Sequence, residues 1–125
     1  MRVACREMPK RVLVVDDHPA VALALKVFLR SDGRYEVSDT APTAADGLRL
    51  LGGQDAVLLD LYLPDLSGLE LVQAFRARDP SAKLILHSAA DDTPEVDAVR
   101  PLVDAVVAKS GFTEMLAALE RLTGG

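Results

Sequence analysis

Short, continuous apolar runs recur along the chain, and each stops at a polar or charged residue. They are "RVLVV" (11–15), "YEVSD" (35–39), "AVLLD" (56–60), "KLILH" (83–87) and "DAVVA" (104–108). All are strand-length and four of the five are rich in branched aliphatic residues, which predicts strands. Between them the apolar positions fall at helical spacing. Val21, Ala24, Leu25, Phe28 and Leu29 form one stripe, and Ala44, Ala45, Leu48 and Leu51 a second. Leu71, Val72 and Phe75 form a third, and Phe112, Met115, Leu116, Leu119 and Leu122 a last one. Gly33, Gly52-Gly53 and Pro80 stand where helices should stop, Pro19 and Pro94 where they should start, with Thr93 capping the latter. Pro94 and Pro101 bracket a helix of at most two turns within 91–103.

Near-continuous apolar strands alternating with helices predict a parallel sheet covered on both faces. No two-residue hairpin signal joins any pair of runs. The expected fold is therefore one α/β domain, a flavodoxin-like three-layer arrangement with a five-stranded parallel sheet of order 2-1-3-4-5. Its core should span about 11–122 of the 125 residues.

In such a sheet, chemistry gathers beyond the carboxyl ends of the strands. Strand 1 ends at Asp16-Asp17, strand 3 at Asp60, strand 4 at Ser88 and strand 5 at Lys109. Carboxylates brought together without a cation push one another's pKa upward. A hard divalent ion with oxygen ligands relieves that, and carboxylates with waters and a carbonyl suit Mg²⁺. A lysine and a hydroxyl opposite the ion would complete a pocket for an oxyanion such as phosphate. Taken singly, each residue has a blander reading. Asp17 ahead of His18-Pro19 could cap a helix, Ser88 could be a loop serine and Lys109 a solvated lysine. His18 and His87 read as a loop histidine and a packed one, since no partner His or Cys stands at metal spacing. Tyr62, Leu63 and Leu66 read as loop packing. The shared address at successive strand ends raises the aspartates, Ser88 and Lys109 above those alternatives.

Composition narrows the class. Half the chain is hydrophobic and 26% is charged, which is globular rather than disordered. The formal charge of −5 without a basic cluster argues against direct nucleic-acid binding by this segment. Cys5 is the single cysteine, which excludes an internal disulfide. No apolar run approaches membrane-spanning length, and "MRVACREMPK" has no apolar signal core, so a cytoplasmic location is expected.

From about Arg11 to Leu122 the residues resemble the receiver domain of two-component response regulators. The segment "LLDLYLPDLSGLEL" (58–71) is similar to the family's phospho-acceptor motif, and "VVDDHPA", "ILHSA" and "VVAKS" fill its other active positions. The resemblance implies that Asp60 accepts a phosphoryl group. It implies that Asp17 ligates Mg²⁺ directly and Asp16 through water, with the Asp60 carboxylate and the Tyr62 backbone carbonyl as further ligands. Lys109 would pair with the phosphoryl group, and Ser88, helped by the Ala89 N–H, would bond it after transfer. The implied partner is a sensor histidine kinase or phosphotransfer protein, with the helix 4–strand 5–helix 5 face (about 93–122) as the readout, control of transcription as its output, and a weak homodimer through that face or through helices 1 and 5 as an option. Tyr62 and Ala90 would modulate water access.

The chain departs from the family on that face. Val106 stands where many receivers have a Tyr or Phe, "RPLVDAV" (100–106) replaces the usual small-residue turn, and Ser110 follows Lys109 in place of proline. The last feature and "DDHPAVALALKVFL" (16–29) are similar to the NarL/FixJ subfamily, whose members carry a LuxR-type DNA-binding domain that is not expected within these residues. Leu102, Val103 and Val106 could form a sticky patch or simply fill the core. A haloacid-dehalogenase-type phosphohydrolase is disfavoured because its two aspartates are separated by one residue, and a nucleotide-binding domain because no Gly-rich loop follows strand 1. A degenerate receiver acting as a phosphorylation-independent binding module is the remaining alternative. The expected role is a switch rather than a turnover enzyme.

Overall fold

The computed structural model describes residues 8–89 and 92–124; Cys5 and Ala90 lie outside the described residues. Its elements alternate as the apolar pattern predicts: β1 (Lys10–Val15), α1 (Pro19–Asp32), β2 (Tyr35–Ala41), α2 (Ala44–Leu50), β3 (Ala56–Leu59), α3 (Gly68–Arg78), β4 (Leu84–Ser88), α4 (Pro94–Val99) with a 3₁₀ turn at Arg100–Leu102, β5 (Ala105–Ala108) and α5 (Phe112–Thr123). The five strands form one parallel sheet in the order β2-β1-β3-β4-β5.

Alternation along each strand divides the core into two layers. Leu13, Val15, Val57, Leu59, Leu84 and Leu86 face α2, α3 and α4, whose Ala44, Leu71, Val72, Phe75, Val96 and Val99 cover them. Val12, Val14, Ala56, Leu58 and Ile85 face the other way, onto Leu25 and Leu29 of α1 and Met115, Ala118 and Leu119 of α5. The rings of Phe28 and Phe112 meet at 5.0 Å between α1 and α5. Central strands buried on both faces explain why the sequence reads as solid apolar runs there.

The helix boundaries follow the punctuation. Gly33 closes α1 in the left-handed region (φ 90°), its N–H on the Leu29 carbonyl, a conformation that favours glycine. Thr93 Oγ1 accepts from the Val96 N–H at 3.2 Å to cap α4. Two inward assignments fail. Ala24 and Ala45 are exposed, and the buried positions are Leu25 and Leu29 in α1 and Ala44 and Gly47 in α2. In α2 the reason is space. A Cβ at Gly47 would stand 2.8 Å from Phe75 Cζ and 2.9 Å from Val15 Cγ1, so the helix lies too close to the sheet for any side chain there. In α1, Ala24 sits about 100° around the helix from the middle of the buried arc, on the side shared with exposed Leu23 and Val27.

The departure ahead of β5 is a packed one. Leu102, Val103 and Val106 join the α3/α4 layer as partly buried residues, so the filled-core reading holds over the sticky patch. Arg76 of α3 anchors this turn. Its Nε and Nη2 donate to the Leu102 carbonyl at 3.0 and 2.8 Å, its Nη1 to the carbonyls of Ala82 (2.8 Å) and Pro80 (3.1 Å). Nη2 also reaches Asp104 Oδ2 at 3.1 Å, which accepts in addition from the Leu84 N–H at 2.8 Å. One guanidinium thereby sets where β4 and β5 begin relative to each other.

Two stability outcomes follow from this packing. Gly47→Ala should cost about 1–3 kcal/mol in urea denaturation, the range for overpacking a tight core. Arg76→Met keeps the stem but strands carbonyl acceptors, and should cost about 2 kcal/mol or more; a change under about 0.5 kcal/mol would show the network to be idle.

Candidate functional site

Parallel pairing brings the strand ends level. Val15 is opposite Leu59, and Ser88 opposite Ala108. The ladder continues one residue past the strands. The Asp16 N–H bonds the Ala41 carbonyl (2.9 Å), the Asp60 N–H the Val15 carbonyl (2.9 Å), and the Lys109 N–H the Ser88 carbonyl (2.7 Å). These three side chains are therefore held by sheet geometry although they sit in loops.

Lys109 Nζ lies 2.9 Å from Asp16 Oδ2 and 3.1 Å from Asp60 Oδ2. Both carboxylates are buried, at 6% and 4% exposure. One ammonium thus faces two buried carboxylates, with the more exposed Asp17 adjoining. The consequences are unequal. Burial raises the Asp60 pKa, and the Asp16 charge adds to it, against the opposing pull of the Tyr62 N–H and Lys109. Burial acts on Asp16 in the same sense, but hydrogen bonds from Lys109 and from the His18 backbone and ring outweigh it and hold Asp16 below the ordinary value. Burial disfavours the Lys109 ammonium, but the two carboxylates outweigh it and raise its pKa.

Ligand atoms of Asp16, Asp17, His18 and Asp60 all lie within 4.8 Å of one another, so this cluster could hold a metal ion. The donor set fits a hard cation. Its oxygens carry more negative charge than Lys109 neutralises, and Asp60 is held in a state that a cation would relieve.

The other expected site residues fall into place around this centre. The Tyr62 N–H donates to Asp60 Oδ1 at 3.3 Å while its side chain is exposed. Ser88 is buried at the end of β4, beside Lys109, and among the described residues its hydroxyl bonds none of the cluster carboxylates. Asp17 is not a helix cap. The N-cap of α1 is His18, whose side chain makes no capping bond; the Asp16 carboxylate accepts from the His18 N–H instead, at 2.8 Å. Val106 is half-buried in the α3/α4 layer.

Two residues carry roles that spacing did not reveal, and a third, His87, is packed as its sequence context predicts. His18 turns its ring into the cluster, Nδ1 standing 2.9 Å from Asp16 Oδ1 and 3.2 Å from Asp17 Oδ1. Asp65 caps α2 from a distance, Oδ1 accepting from the Ala44 N–H (2.8 Å) and Oδ2 from the Ala45 N–H (3.0 Å), bonds that hold its pKa below the usual value. That ties the loop after Asp60 to the sheet's α2 side. His87 is buried with an unpartnered Nε2, and burial, reinforced by the Lys109 charge, pulls its pKa down to about 4. A His directly after an acidic pair was the available signal for His18.

Among the described residues no helix is long and apolar enough to cross a membrane. Comparison with known proteins agrees with the geometry. Residues 12–120 match the family model described as the response regulator receiver domain. The transcriptional regulatory protein MctR of Rhizobium johnstonii is 32% identical over 125 residues, 95% of this chain and 58% of MctR, so the chain spans little more than half of that relative. The signal receiver domain of the response regulator NarL from Mycobacterium tuberculosis is similar in structure, with a TM-score of 0.83, 26% identity, and coverage of 95% of this chain and 99% of that one. Response regulator TrrA of Thermotoga maritima, solved in complex with Mg²⁺ and beryllofluoride, has a TM-score of 0.76 at 35% identity, covering 90% of this chain and 98% of that one. With a five-stranded receiver fold, an acidic cluster facing one lysine, and a family match over nearly its whole length, the chain belongs to the response regulator receiver family of two-component signalling proteins.

Proposed function

We propose that this domain accepts a phosphoryl group on Asp60 and uses it to switch a surface that controls an output. The observation that carries the reading is Asp60 itself, buried at the end of β3 with Lys109 Nζ 3.1 Å from Oδ2 and the Asp16 and Asp17 carboxylates beside it. The donor is a phosphohistidine of a sensor kinase or phosphotransfer protein. An Asp60 oxygen attacks phosphorus as the phosphorus–nitrogen bond breaks, the imidazole leaves with the bonding pair, and an acyl phosphate results. In such transfers the protein chiefly positions groups and neutralises charge.

Asp16, Asp17, Asp60 and the Tyr62 carbonyl would hold Mg²⁺, which when bound neutralises charge between carboxylate and phosphoryl oxygens. The TrrA complex with Mg²⁺ and beryllofluoride supports that choice of ion. Lys109 steadies Asp60 before transfer and pairs with a phosphoryl oxygen after it. Ser88, buried beside Lys109 with its hydroxyl uncommitted to the carboxylates, donates to the phosphoryl group and draws its loop inward, with the Ala89 N–H assisting. About two negative charges are added, and they shift the equilibrium only as far as Ser88 and Lys109 contact them better in one state. The readout is the face made by α4, β5 and α5. Val106 packs there without a ring to rotate, so the signal passes through the loop that follows Ser88. The domain acts in the cytoplasm as a switch without turnover of its own, modifying only itself. Control of transcription is the output suggested by the name of MctR, and a weak homodimer through α4–β5–α5 or α1–α5 is a compatible form.

Intact mass after incubation with Mg²⁺ and acetyl phosphate tests this. One phosphoryl group should appear, depend on Mg²⁺, and be absent in Asp60→Asn; a folded wild type that takes up none contradicts the reading and leaves a phosphorylation-independent binding module. Stability gives a second outcome. Because the Asp60 pKa is raised on folding, its neutral form stabilises the fold at low pH, and that contribution is lost as pH rises through its folded pKa. At neutral pH without metal, Asp60→Asn should therefore raise Tm by about 2–5 °C, the scale of a ~1 kcal/mol relief in a domain of this size. Mg²⁺ should stabilise the wild type with the logarithm of its concentration, about 1.4 kcal/mol per decade above Kd, and Asp60→Asn by much less.

A further inference from the structure

Resting on the reading that the acidic cluster holds a divalent cation, we propose that His18 is a nitrogen ligand to that cation and biases the site toward borderline ions such as Mn²⁺ and Co²⁺ relative to Mg²⁺. Nδ1 stands 2.9 Å from Asp16 Oδ1, 3.2 Å from Asp17 Oδ1 and 3.8 Å from Asp60 Oδ2. Around an octahedral ion with bonds of about 2.1 Å, neighbouring ligand atoms are about 3 Å apart. The distances from Nδ1 to the oxygens of Asp16 and Asp17 match two edges of such a shell, with Asp60 Oδ2 a more distant third oxygen.

The backbone makes this position a built one. His18 is the N-cap of α1, with Pro19 opening the helix. Its N–H donates to Asp16 Oδ1 at 2.8 Å, and its carbonyl accepts from the Val21 and Ala22 N–H groups, both at 3.1 Å. The Cα is thereby fixed over the cluster, and only two side-chain torsions remain to bring the ring in. An N-cap residue ordinarily spends its side chain on the helix N–H groups; the His18 ring makes no such bond and turns to the carboxylates instead. It is 60% exposed, so nothing packs it into this orientation. Lys109 Nζ, which can only donate, lies 3.2 Å from the same nitrogen, so Nδ1 presents a lone pair there in the tautomer that carries its proton on Nε2. The second histidine does not compete, since buried His87 is outside the cluster.

The chemical consequence is selectivity. Mg²⁺ takes hard oxygen ligands and retains waters, so an imidazole adds little to its binding. Mn²⁺ and Co²⁺ accept imidazole readily, with affinity rising along the first-row series. A set of three carboxylates and one imidazole narrows the advantage of abundant Mg²⁺ in a way three carboxylates alone do not.

Mn²⁺ is the probe. Its electron spin echo envelope modulation in the wild-type protein should show a directly bound nitrogen that changes character when histidine is supplied as the ¹⁵N form, and the signal should vanish in His18→Gln. The ratio of Mg²⁺ to Co²⁺ dissociation constants, from displacement of Mn²⁺, should fall about tenfold or more in His18→Gln. Mn²⁺ that binds with oxygen ligands alone, or a ratio unmoved by His18→Gln, overturns the assignment while leaving the acidic cation site intact. A free Mn²⁺ spectrum unaltered by the folded protein overturns both. The isotope comparison needs only the wild-type chain, so the assignment stays testable if the variant folds poorly.

Discussion

Lys109 brings its ammonium within hydrogen-bonding distance of two buried carboxylates, Asp16 at 2.9 Å and Asp60 at 3.1 Å, and cannot neutralise both. The residual negative charge is what the rest of the site answers. It splits the aspartates, holding Asp16 below its ordinary pKa and Asp60 above it. The same imbalance makes a divalent cation welcome beside Asp17. Of the two buried carboxylates it leaves Asp60 the less compensated, with Lys109 Nζ 3.1 Å away.

Such a charge arrangement costs stability, so the scaffold must hold it against repulsion. The sheet does this by running its backbone bonds one residue past β1, β3 and β5, onto Asp16, Asp60 and Lys109. Beneath, the two apolar layers fix the height of the strand ends. Gly47 lets α2 settle against Val15 and Phe75, while Arg76 ties α3 to the turn that sets β5 beside β4. Asp65 binds the loop after Asp60 to the start of α2. In this arrangement distant contacts serve one purpose, to keep three polar side chains at one edge.

Much of this was legible in the chain. Strands buried on both faces announce themselves as apolar runs, and a run must end where its first charge appears, so Asp16, Asp60 and Lys109 had readable addresses. Ser88 is the last residue of β4, the strand end read for it in the chain. What stayed hidden depended on three dimensions. Ala24 and Ala45 are apolar but face solvent, because small residues mark neither face of a helix strongly, and the buried place near Ala45 belongs to Gly47. The ring of His18 turns into the acid cluster because its backbone is fixed by Asp16, a contact that spacing alone does not direct. Asp65 caps a helix 20 residues upstream, and no local signal marks a cap donated from afar. Leu102, Val103 and Val106 read equally as patch or core until α3 and α4 were placed over them.

The central claim is that one ammonium shared by two buried carboxylates leaves Asp60 under-neutralised and ready for a cation. Titrating the side-chain carboxyl carbons by NMR in the metal-free protein, then with Mg²⁺, addresses it most directly. The account predicts that Asp16 titrates below and Asp60 above the ordinary aspartate range, and that Mg²⁺ brings Asp60 down. An Asp60 that titrates at or below the ordinary value without metal, and does not respond to Mg²⁺, would contradict it.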